Sequence, residues 1–250
     1  MLDVPQAAEV LRDVNRPIPG DYQYRALTRG PATQRFWHQR KLELLRTLGL
    51  PRAGTRALDL GCGSGVVAHF LAEQGASVDA VDTNEDAIRF ARGQFARDGL
   101  RFHLVAASEM AFPDASFDLI VCMEVIEHLA VSQVAELLGV VRRLLRPEGV
   151  LLVTTPNYRS LWPAIEWLMD LFRLSPPMRG AQHVTRFTAD RLERLLRAAG
   201  LEVRECGRFC GLAPFAGPLS WPLAERLDAA EWRAAQPLGN LLFALAGEPQ

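Results

Sequence analysis

Short apolar runs alternate with helical patterns between residues 56 and 154, and this alternation constrains the fold more than any other feature of the sequence. The runs are Arg56–Leu60, Ser77–Val81, Phe102–Val105, Leu119–Met123 and Val150–Thr154. Apolar residues recur with helical spacing in most of the gaps, at Val66–Gln74, Glu85–Asp98 and Ser132–Leu145. Strands with nearly continuous apolar character are buried on both faces, so the pattern predicts an α/β protein with a parallel sheet between two layers of helices.

The remaining segments are interpreted around this sheet. The length of 250 residues predicts a single domain over 31–250, preceded by a loosely ordered arm at 1–30. Two excursions rich in apolar residues and proline interrupt the pattern, a lid insertion at about 157–187 and a second one at about 213–237. The other predicted elements are a helix over 31–48, a helix over 188–199, and strands at 201–206 and 240–246.

Composition argues against several classes of function. The formal net charge of −1 gives no electrostatic reason to bind nucleic acid. The basic charge is almost all arginine, and Lys41, the only lysine, is interpreted as part of that compositional habit. Four irregularly spaced cysteines fit neither a disulfide framework nor a zinc site, so a cytoplasmic protein with reduced thiols is expected. The first residues do not resemble a secretory signal, and no apolar stretch is long enough to predict a membrane span.

A glycine-rich turn follows the first strand in the sequence "ALDLGCGSGV" at residues 57–66. Gly61, Gly63 and Gly65 form G-x-G-x-G, which is typical of a loop that presents backbone amides to a nucleotide at the start of a helix. The sixth position is Val66, where the dinucleotide fingerprint requires a small residue, and this disfavours a nicotinamide dehydrogenase. No lysine followed by Ser or Thr is present, so the turn is not a P-loop.

Two aspartates indicate which nucleotide the turn binds. Asp59 lies just before the first glycine, where a carboxylate repels a pyrophosphate but attracts a ligand that carries an ammonium group. Asp82 ends the second strand, 21 residues after Gly61, and a carboxylate there can accept both ribose hydroxyl hydrogens. A ligand with a ribose, a cationic amino-acid tail and no pyrophosphate is S-adenosylmethionine.

The motifs "LDLGCGSG", "VDAVDTN", "FPDASFDLIVCMEVIEHL" and "LLRPEGVLLVTTPN" cover roughly residues 55–157 and resemble, in their order, the class I S-adenosylmethionine-dependent methyltransferases. Within that family, "CMEVIEHL", "TTPNYRSLW" and "HVTRF" are most similar to the ubiquinone-biosynthesis O-methyltransferases. The resemblance implies a Rossmann-like, mostly parallel seven-stranded sheet with an antiparallel last strand, helices on both faces and a helical lid insertion.

The resemblance also implies roles for individual residues. Gly61 is expected to contact the methionine portion of the cofactor, Asp82 the ribose, and Met123 the cofactor from the end of the fourth strand. Arg40 is expected to face the methionine carboxylate. Many relatives have an acid for the adenine amino group where this chain has Ala106, so Ser108 or a backbone amide is expected instead. The complete predicted cofactor set is Arg40, Asp59, Gly61, Cys62, Gly63, Gly65, Asp82, Thr83, Ala107, Ser108 and Met123.

The segment "MEVIEHLA" carries the candidates for catalysis. Glu124, Glu127 and His128 follow the fourth strand, at the sheet edge where α/β proteins bind ligands. One interpretation is that all three hold a divalent cation such as Mg²⁺, as the resemblance suggests. A second makes His128 a general base oriented by Glu124 or Glu127, and a third makes the three residues structural. His183 is a further catalytic candidate, with a local hydrogen-bonding role as its alternative.

The lid insertion contains an apolar helical pattern over 161–174 with a narrow polar stripe of Glu166, Asp170 and Arg173. Residues 159–176 are expected either to pack as a lid, core or dimer helix, or to contact the inner membrane face as a peripheral segment. In either case we expect the helix to roof an apolar substrate pocket, with the second excursion as a further apolar wall. The wall residues are Phe215, Leu219, Trp221 and Leu223.

The function predicted from the sequence is O-methylation of a lipophilic phenol- or quinone-type small molecule. A lipid, polyketide or amine acceptor is the first alternative, and a non-catalytic cofactor-binding protein is the second. The sequence makes no prediction about the oligomeric state.

Overall fold

The seven strands form one sheet, as expected, in a computed structural model that describes residues 19–171, 182–234 and 239–249. The strand order is β3-β2-β1-β4-β5-β7-β6; β7 is antiparallel to β5 and β6, and the pairs among β1 to β5 are parallel. The predicted sheet with an antiparallel last strand is therefore confirmed. The strands are β1 Arg56–Leu60, β2 Ser77–Asp82, β3 Leu100–Leu104, β4 Phe117–Met123, β5 Leu145–Pro156, β6 Glu202–Phe209 and β7 Leu241–Gly247.

Helices cover both faces of the sheet because successive strand residues point to opposite sides. Ala57 of β1 packs in a core on one face, together with Leu44 and Leu71 from the helices there. Leu58 packs in the core on the other face, together with Val141. The described helices are α1 Tyr22–Arg29, α2 Ala32–Thr47, α3 Val66–Glu73, α4 Glu85–Gln94, α5 Val131–Leu144, α6 Trp162–Leu171, α7 Ala189–Ala198, α8 Ala213–Ala216 and α9 Trp221–Arg233.

Part of the predicted loose arm is helical. Residues 1–18 lie outside the described residues, but α1 forms within the segment 19–30 and buries Ala26. Tyr24 packs its ring against Phe90 and Phe95, with ring centroids 5.3 and 5.9 Å away. This packing of aromatic side chains against the end of α4 explains why the segment is ordered, which its polar, proline-punctuated sequence did not indicate.

The second excursion contains α8 and α9, which pack against α2. Phe36 and Trp221 meet edge to face at 5.1 Å, so Trp221 supports α2. Phe215, Leu219 and Leu223 are exposed, so the described residues do not assemble the predicted apolar wall. Residues 235–238 and the lid residues 172–181 lie outside the described part of the chain. Among the described helices, none combines the length and the apolar character needed to cross a bilayer.

Candidate cofactor and acceptor site

The glycine turn connects β1 to α3 and folds back on β2. The amides of Gly61 and Cys62 both donate to the carbonyl of Val81, at 2.9 and 3.0 Å. Gly61 and Gly65 have φ of +71° and +80°, which disfavours a side chain at both positions. A Cβ on Gly61 would collide with the Val125 side chain, so the cavity beside this turn depends on glycine.

Asp82 connects this turn to the end of β2. One carboxylate oxygen accepts from the Gly63 amide at 2.7 Å, and the other accepts from the Asn84 amide at 2.8 Å. The carboxylate is buried, and burial raises its pKa above the usual range although hydrogen bonds from the Asn84, Gly63 and Thr83 amides oppose the shift. A carboxylate has about four lone-pair sites, so Asp82 can still accept from a ribose hydroxyl.

Asp59 lies in the sheet below the turn and is 2% exposed. Burial, followed by the charge of Asp82, raises the pKa of Asp59 to about 7. Its Oδ2 atom has no hydrogen-bond partner among the described residues. A buried oxygen without a partner is costly, and a cationic group at the turn would compensate it through space. The turn and the two aspartates therefore fit the expected sulfonium cofactor.

A cavity of the described structure lies at the carboxyl ends of β1, β2 and β4. Its lining includes the predicted residues Gly61, Gly63, Asp82, Thr83, Ala107 and Ser108, with Glu124 and His128 at the end nearest β4. The other predicted cofactor residues do not line it: Asp59, Cys62, Gly65 and Met123 support the turn and the sheet from within the core.

The arm closes one side of this cavity, which sequence reasoning missed. Pro19, Gly20, Tyr22 and Gln23 are all part of the lining. The Gln23 side-chain oxygen accepts from the Ser64 amide at 2.9 Å, so α1 is held directly on the glycine turn. No described residue of α6 lines the cavity, so the described part of the predicted lid does not cover the cofactor site.

Arg40 does not face the cavity. Its guanidinium pairs with Asp228 of α9 at 2.8 Å and so joins α2 to α9. The next residue, Lys41, is 6% exposed, and its ammonium lies 2.6 Å from the Glu124 carboxylate. The cation that pairs with a cavity-lining residue is therefore Lys41, whereas the described structure places Arg40 against Asp228 and outside the lining. Lys41 stands one turn before Leu45, on the buried face of α2, and this spacing was the signal that could have identified it.

Glu124 occupies a strained backbone position at the end of β4. Its φ is +56°, which is unusual for a residue with a side chain and is frequent at functional sites. The amide donates to the Thr154 carbonyl at 3.0 Å, so the strain is held by β5. This geometry turns the Glu124 side chain toward the cavity and toward Lys41.

His128 ends the short 3₁₀ turn that follows Glu124 and lines the cavity. Its Nδ1 lies 2.9 Å from the carbonyl oxygen of Gln182, so Nδ1 carries the proton and Nε2 is the acceptor of the neutral ring. Burial, and secondly the charge of His183, lower the pKa of His128 to about 4. The ring is therefore neutral at physiological pH.

Glu127 and His183 lie behind His128, outside the cavity lining. Burial raises the pKa of Glu127 to about 7, and Glu127 accepts from the Thr155 hydroxyl at 3.0 Å. Burial acts to lower the pKa of His183, but a 2.7 Å hydrogen bond to Glu166 and the charges of Glu127 and Glu166 together raise it. Glu166 was predicted on a polar stripe of the lid helix, yet it is 1% exposed.

The predicted metal set is only partly assembled. Ligand atoms of Glu127, His128 and His183 all lie within 4.8 Å of one another, and Glu124 is not part of this group. The Glu124 carboxylate is instead neutralised by Lys41. His183, and not Glu124, is therefore the third member of the candidate ligand group.

Comparison with known proteins agrees with this geometry. The family described as "Methyltransferase domain" matches residues 33–205. A probable S-adenosylmethionine-dependent methyltransferase of Mycolicibacterium smegmatis is 32% identical over 176 residues, which are 70% of this chain and 63% of that protein. This chain therefore spans less than two thirds of that relative. A ubiquinone biosynthesis O-methyltransferase of Thiobacillus denitrificans is 34% identical over 161 residues, 62% of this chain and 68% of that protein.

Solved structures show the same fold. The Burkholderia thailandensis 1,6-didemethyltoxoflavin-N1-methyltransferase, with S-adenosylhomocysteine bound, aligns with a TM-score of 0.64 at 21% identity and covers 100% of this chain and 92% of its own. An S-adenosylmethionine dependent methyltransferase from Mesorhizobium loti aligns with a TM-score of 0.60 at 23% identity, over 82% of this chain and 95% of its own.

Proposed function

We propose that this chain, which belongs to the family of S-adenosylmethionine-dependent methyltransferases, methylates a hydroxyl oxygen of a lipophilic phenol- or quinone-type small molecule. The observation that carries the proposal is the neutral His128 ring in the cavity of the glycine turn, with Nδ1 engaged by Gln182. A sulfonium methyl group is already activated, so the protein has to align a nucleophile with it and remove a proton. An imidazole with a free Nε2 lone pair supplies the second requirement.

The surroundings of His128 keep its ring neutral, so Nε2 is available to accept a proton. Proton transfer creates an imidazolium that burial and the charge of His183 disfavour, and the Gln182 carbonyl and the Glu124 carboxylate offset part of that cost. Lys41 in turn holds the Glu124 carboxylate at the cavity. The hydroxyl acceptor is also suggested by the relative from Thiobacillus denitrificans, which is a ubiquinone biosynthesis O-methyltransferase.

A divalent cation is a second candidate for activating the acceptor, and the spacing of Glu127, His128 and His183 favours it. Two imidazoles and a carboxylate are ligands that a divalent metal accepts, and the metal would acidify a bound hydroxyl. Turnover after chelation separates the two candidates. If His128 acts as a free base, EDTA leaves the rate unchanged; a loss that Mg²⁺ restores would favour the cation.

The lipophilic acceptor is supported by apolar side chains in the lining of the cavity. Leu129, Leu137 and Val140 all line the cavity. The outer face of α6 is also apolar, with Trp167, which is 50% exposed, among its residues. We propose that this face contacts the membrane surface in which such an acceptor dissolves. Liposome co-sedimentation tests it: Trp167→Ser should reduce the bound fraction, and equal binding of both proteins contradicts the proposal.

The direct test combines cofactor binding with turnover. Thermal shifts should appear with S-adenosylmethionine and its homocysteine product but not with NAD. His128→Ala should keep the affinity for S-adenosylhomocysteine within about twofold and lose turnover of a catechol by about 100-fold or more, the range expected for a lost general base. Undiminished turnover by His128→Ala would remove His128 as the base. Faster transfer to an amine than to a phenol would favour the amine alternative.

A further inference from the structure

The lid helix α6 inverts the usual placement of side chains at Glu166. Glu166 points into the protein and is 1% exposed, whereas Trp167 and Leu171 on the opposite side are 50% and 57% exposed. A surface helix normally presents its charged residues to water and its apolar residues to the core. The inversion means that Glu166 is held inside by specific partners.

Two donors meet at one oxygen of Glu166. His183 Nδ1 lies 2.7 Å from Oε1, and the Tyr158 hydroxyl lies 2.9 Å from the same atom. Because a carboxylate only accepts, the His183 Nδ1 atom carries the hydrogen. Tyr158 follows β5, so Glu166 joins the lid helix to the sheet and to the segment that contains His183.

The segment of His183 also holds His128. The residue before His183 is Gln182, whose carbonyl accepts from His128 Nδ1 at 2.9 Å. Two residues after His183, the Thr185 amide donates to the Glu127 carbonyl at 3.0 Å and its hydroxyl donates to the Leu129 carbonyl at 2.6 Å. Residues 182–185 therefore hold the turn of His128 on both sides. In the described hydrogen bonds, α6 binds this segment through one side chain, that of His183.

Stability alone does not account for a carboxylate in this place. Removal of a charged group from water has a large cost that hydrogen bonds only partly offset, and an apolar residue of similar volume is often at least as stable. The neighbouring inward position of α6 shows that apolar packing works there, since Trp162 is buried and lies 5.4 Å from the Trp37 ring. A buried Glu166 is thus better explained by what it orients.

We propose that Glu166 is a positioning residue for His128 and acts through the Gln182–His183 segment. This inference rests on the proposed function, in which His128 is the base. Glu166 fixes the His183 ring, the adjacent Gln182 carbonyl then faces His128 Nδ1, and this bond keeps the proton on Nδ1 so that Nε2 faces the cavity as an acceptor. The lid helix must be seated for the base to have the correct tautomer.

Three variants test the chain of contacts. Glu166→Leu removes the acceptor for His183, whereas Glu166→Gln keeps a carbonyl oxygen at nearly the same place. Glu193→Gln is the matched control, because it neutralises a surface carboxylate of α7 that pairs with Arg197 at 3.1 Å. We expect kcat to fall about tenfold in Glu166→Leu and less in Glu166→Gln, with KM for S-adenosylmethionine unchanged, and no change in the control.

A spectroscopic measurement separates positioning from a merely structural role. The ¹⁵N shifts of the imidazole nitrogens report the tautomer of each of the five histidines, and His128→Ala assigns the relevant signals. We expect the Nδ1-protonated signature of His128 in the wild type and in the control, and a mixture of tautomers in Glu166→Leu. If Glu166→Leu does not fold, the comparison is made with Glu166→Gln.

An unchanged His128 signature together with unchanged kcat in the Glu166 variants overturns the inference. If kcat falls only in parallel with the melting temperature, Glu166 is structural and the inference is again overturned. The proposed function fails on a different result, retained turnover by His128→Ala, so the two failures are distinguishable.

Discussion

The ion pair between Lys41 and Glu124 links α2 to the strained end of β4, and its removal should be measurable. The perturbations are Lys41→Met, Glu124→Gln and the double variant. The ammonium and the carboxylate are 2.6 Å apart, with the Lys41 side chain 8% exposed and the Glu124 side chain 25% exposed. Methionine and glutamine keep nearly the same volume, so the variants remove charge without opening a cavity.

The expected magnitude follows from the partial burial of this pair. At this separation two unit charges attract by about 1.6 kcal/mol with the dielectric constant of water and about 6 kcal/mol with an effective value of about 20. Removing one partner of a buried pair costs about 3–5 kcal/mol, whereas exposed pairs contribute about 0.2–1 kcal/mol. Because the cavity still solvates part of Glu124, we expect a coupling free energy of about 2 kcal/mol.

The two single variants should differ. Glu124→Gln leaves the ammonium of Lys41 uncompensated at 8% exposure and should reduce the free energy of unfolding by about 3 kcal/mol. Lys41→Met leaves a carboxylate that the cavity can hydrate, so we expect a loss of about 2 kcal/mol. Urea unfolding of the wild type, the two single variants and the double variant gives the four free energies of a double-mutant cycle. The exposed pair Arg46–Glu43 serves as the control cycle, with a coupling below about 0.5 kcal/mol. Equal coupling in both cycles would refute the reasoning.

Three further outcomes are expected. Asp82→Asn should weaken S-adenosylmethionine binding about 10- to 100-fold in calorimetry, because the lost charge removes a strong acceptor for the ribose; unchanged affinity would contradict this role. The pKa of Asp59 is about 7 in the folded protein, compared with an ordinary value of 3.8 that we take for the unfolded chain. The folded state therefore binds more protons between these two values, and the free energy of unfolding falls as the pH rises through them. Between pH 5 and 8 the wild type should lose about 2–3 kcal/mol more than Asp59→Asn in urea unfolding, and parallel pH profiles would exclude the shift. A Cβ on Gly65 would lie 2.8 Å from Phe102, so Gly65→Ala should lower the melting temperature by about 5–10 °C, whereas Gly93→Ala, with open space around it, should not lower it.

The part of the site that could be predicted from the sequence is local in the chain. Gly61 and Gly63 line the cavity as expected, since an apolar strand, a glycine turn and a helix form a contiguous unit. Asp82 was placed by the same rule, because neighbouring parallel strands end at one edge of the sheet. These predictions need only the sequence order and the strand period.

The expectations for Arg40 and Glu166 differ from the structure because the sequence did not indicate the direction in which each side chain leaves its helix. Arg40 and Lys41 differ by about 100° around α2, and the resemblance fixed the helix but not which of the two faces the site. Glu166 was placed on a polar stripe because polar residues usually face water, and the donors that invert this preference, His183 and Tyr158, come from other segments. Neither contact has a signal within a window of one helix.

The two halves of the cavity therefore differ in how the chain builds them. The cofactor half is made mainly by β1, the glycine turn and Asp82, which are close in sequence, and it includes the long-range contact of Gln23 with Ser64. The His128 half depends on contacts between segments far apart in sequence, including Lys41 to Glu124 across 83 positions. A local unit tolerates change elsewhere in the chain, whereas a half assembled by long-range contacts changes its shape with any of its segments. Substitutions in α2 or α6 should for this reason alter acceptor turnover while leaving cofactor affinity intact.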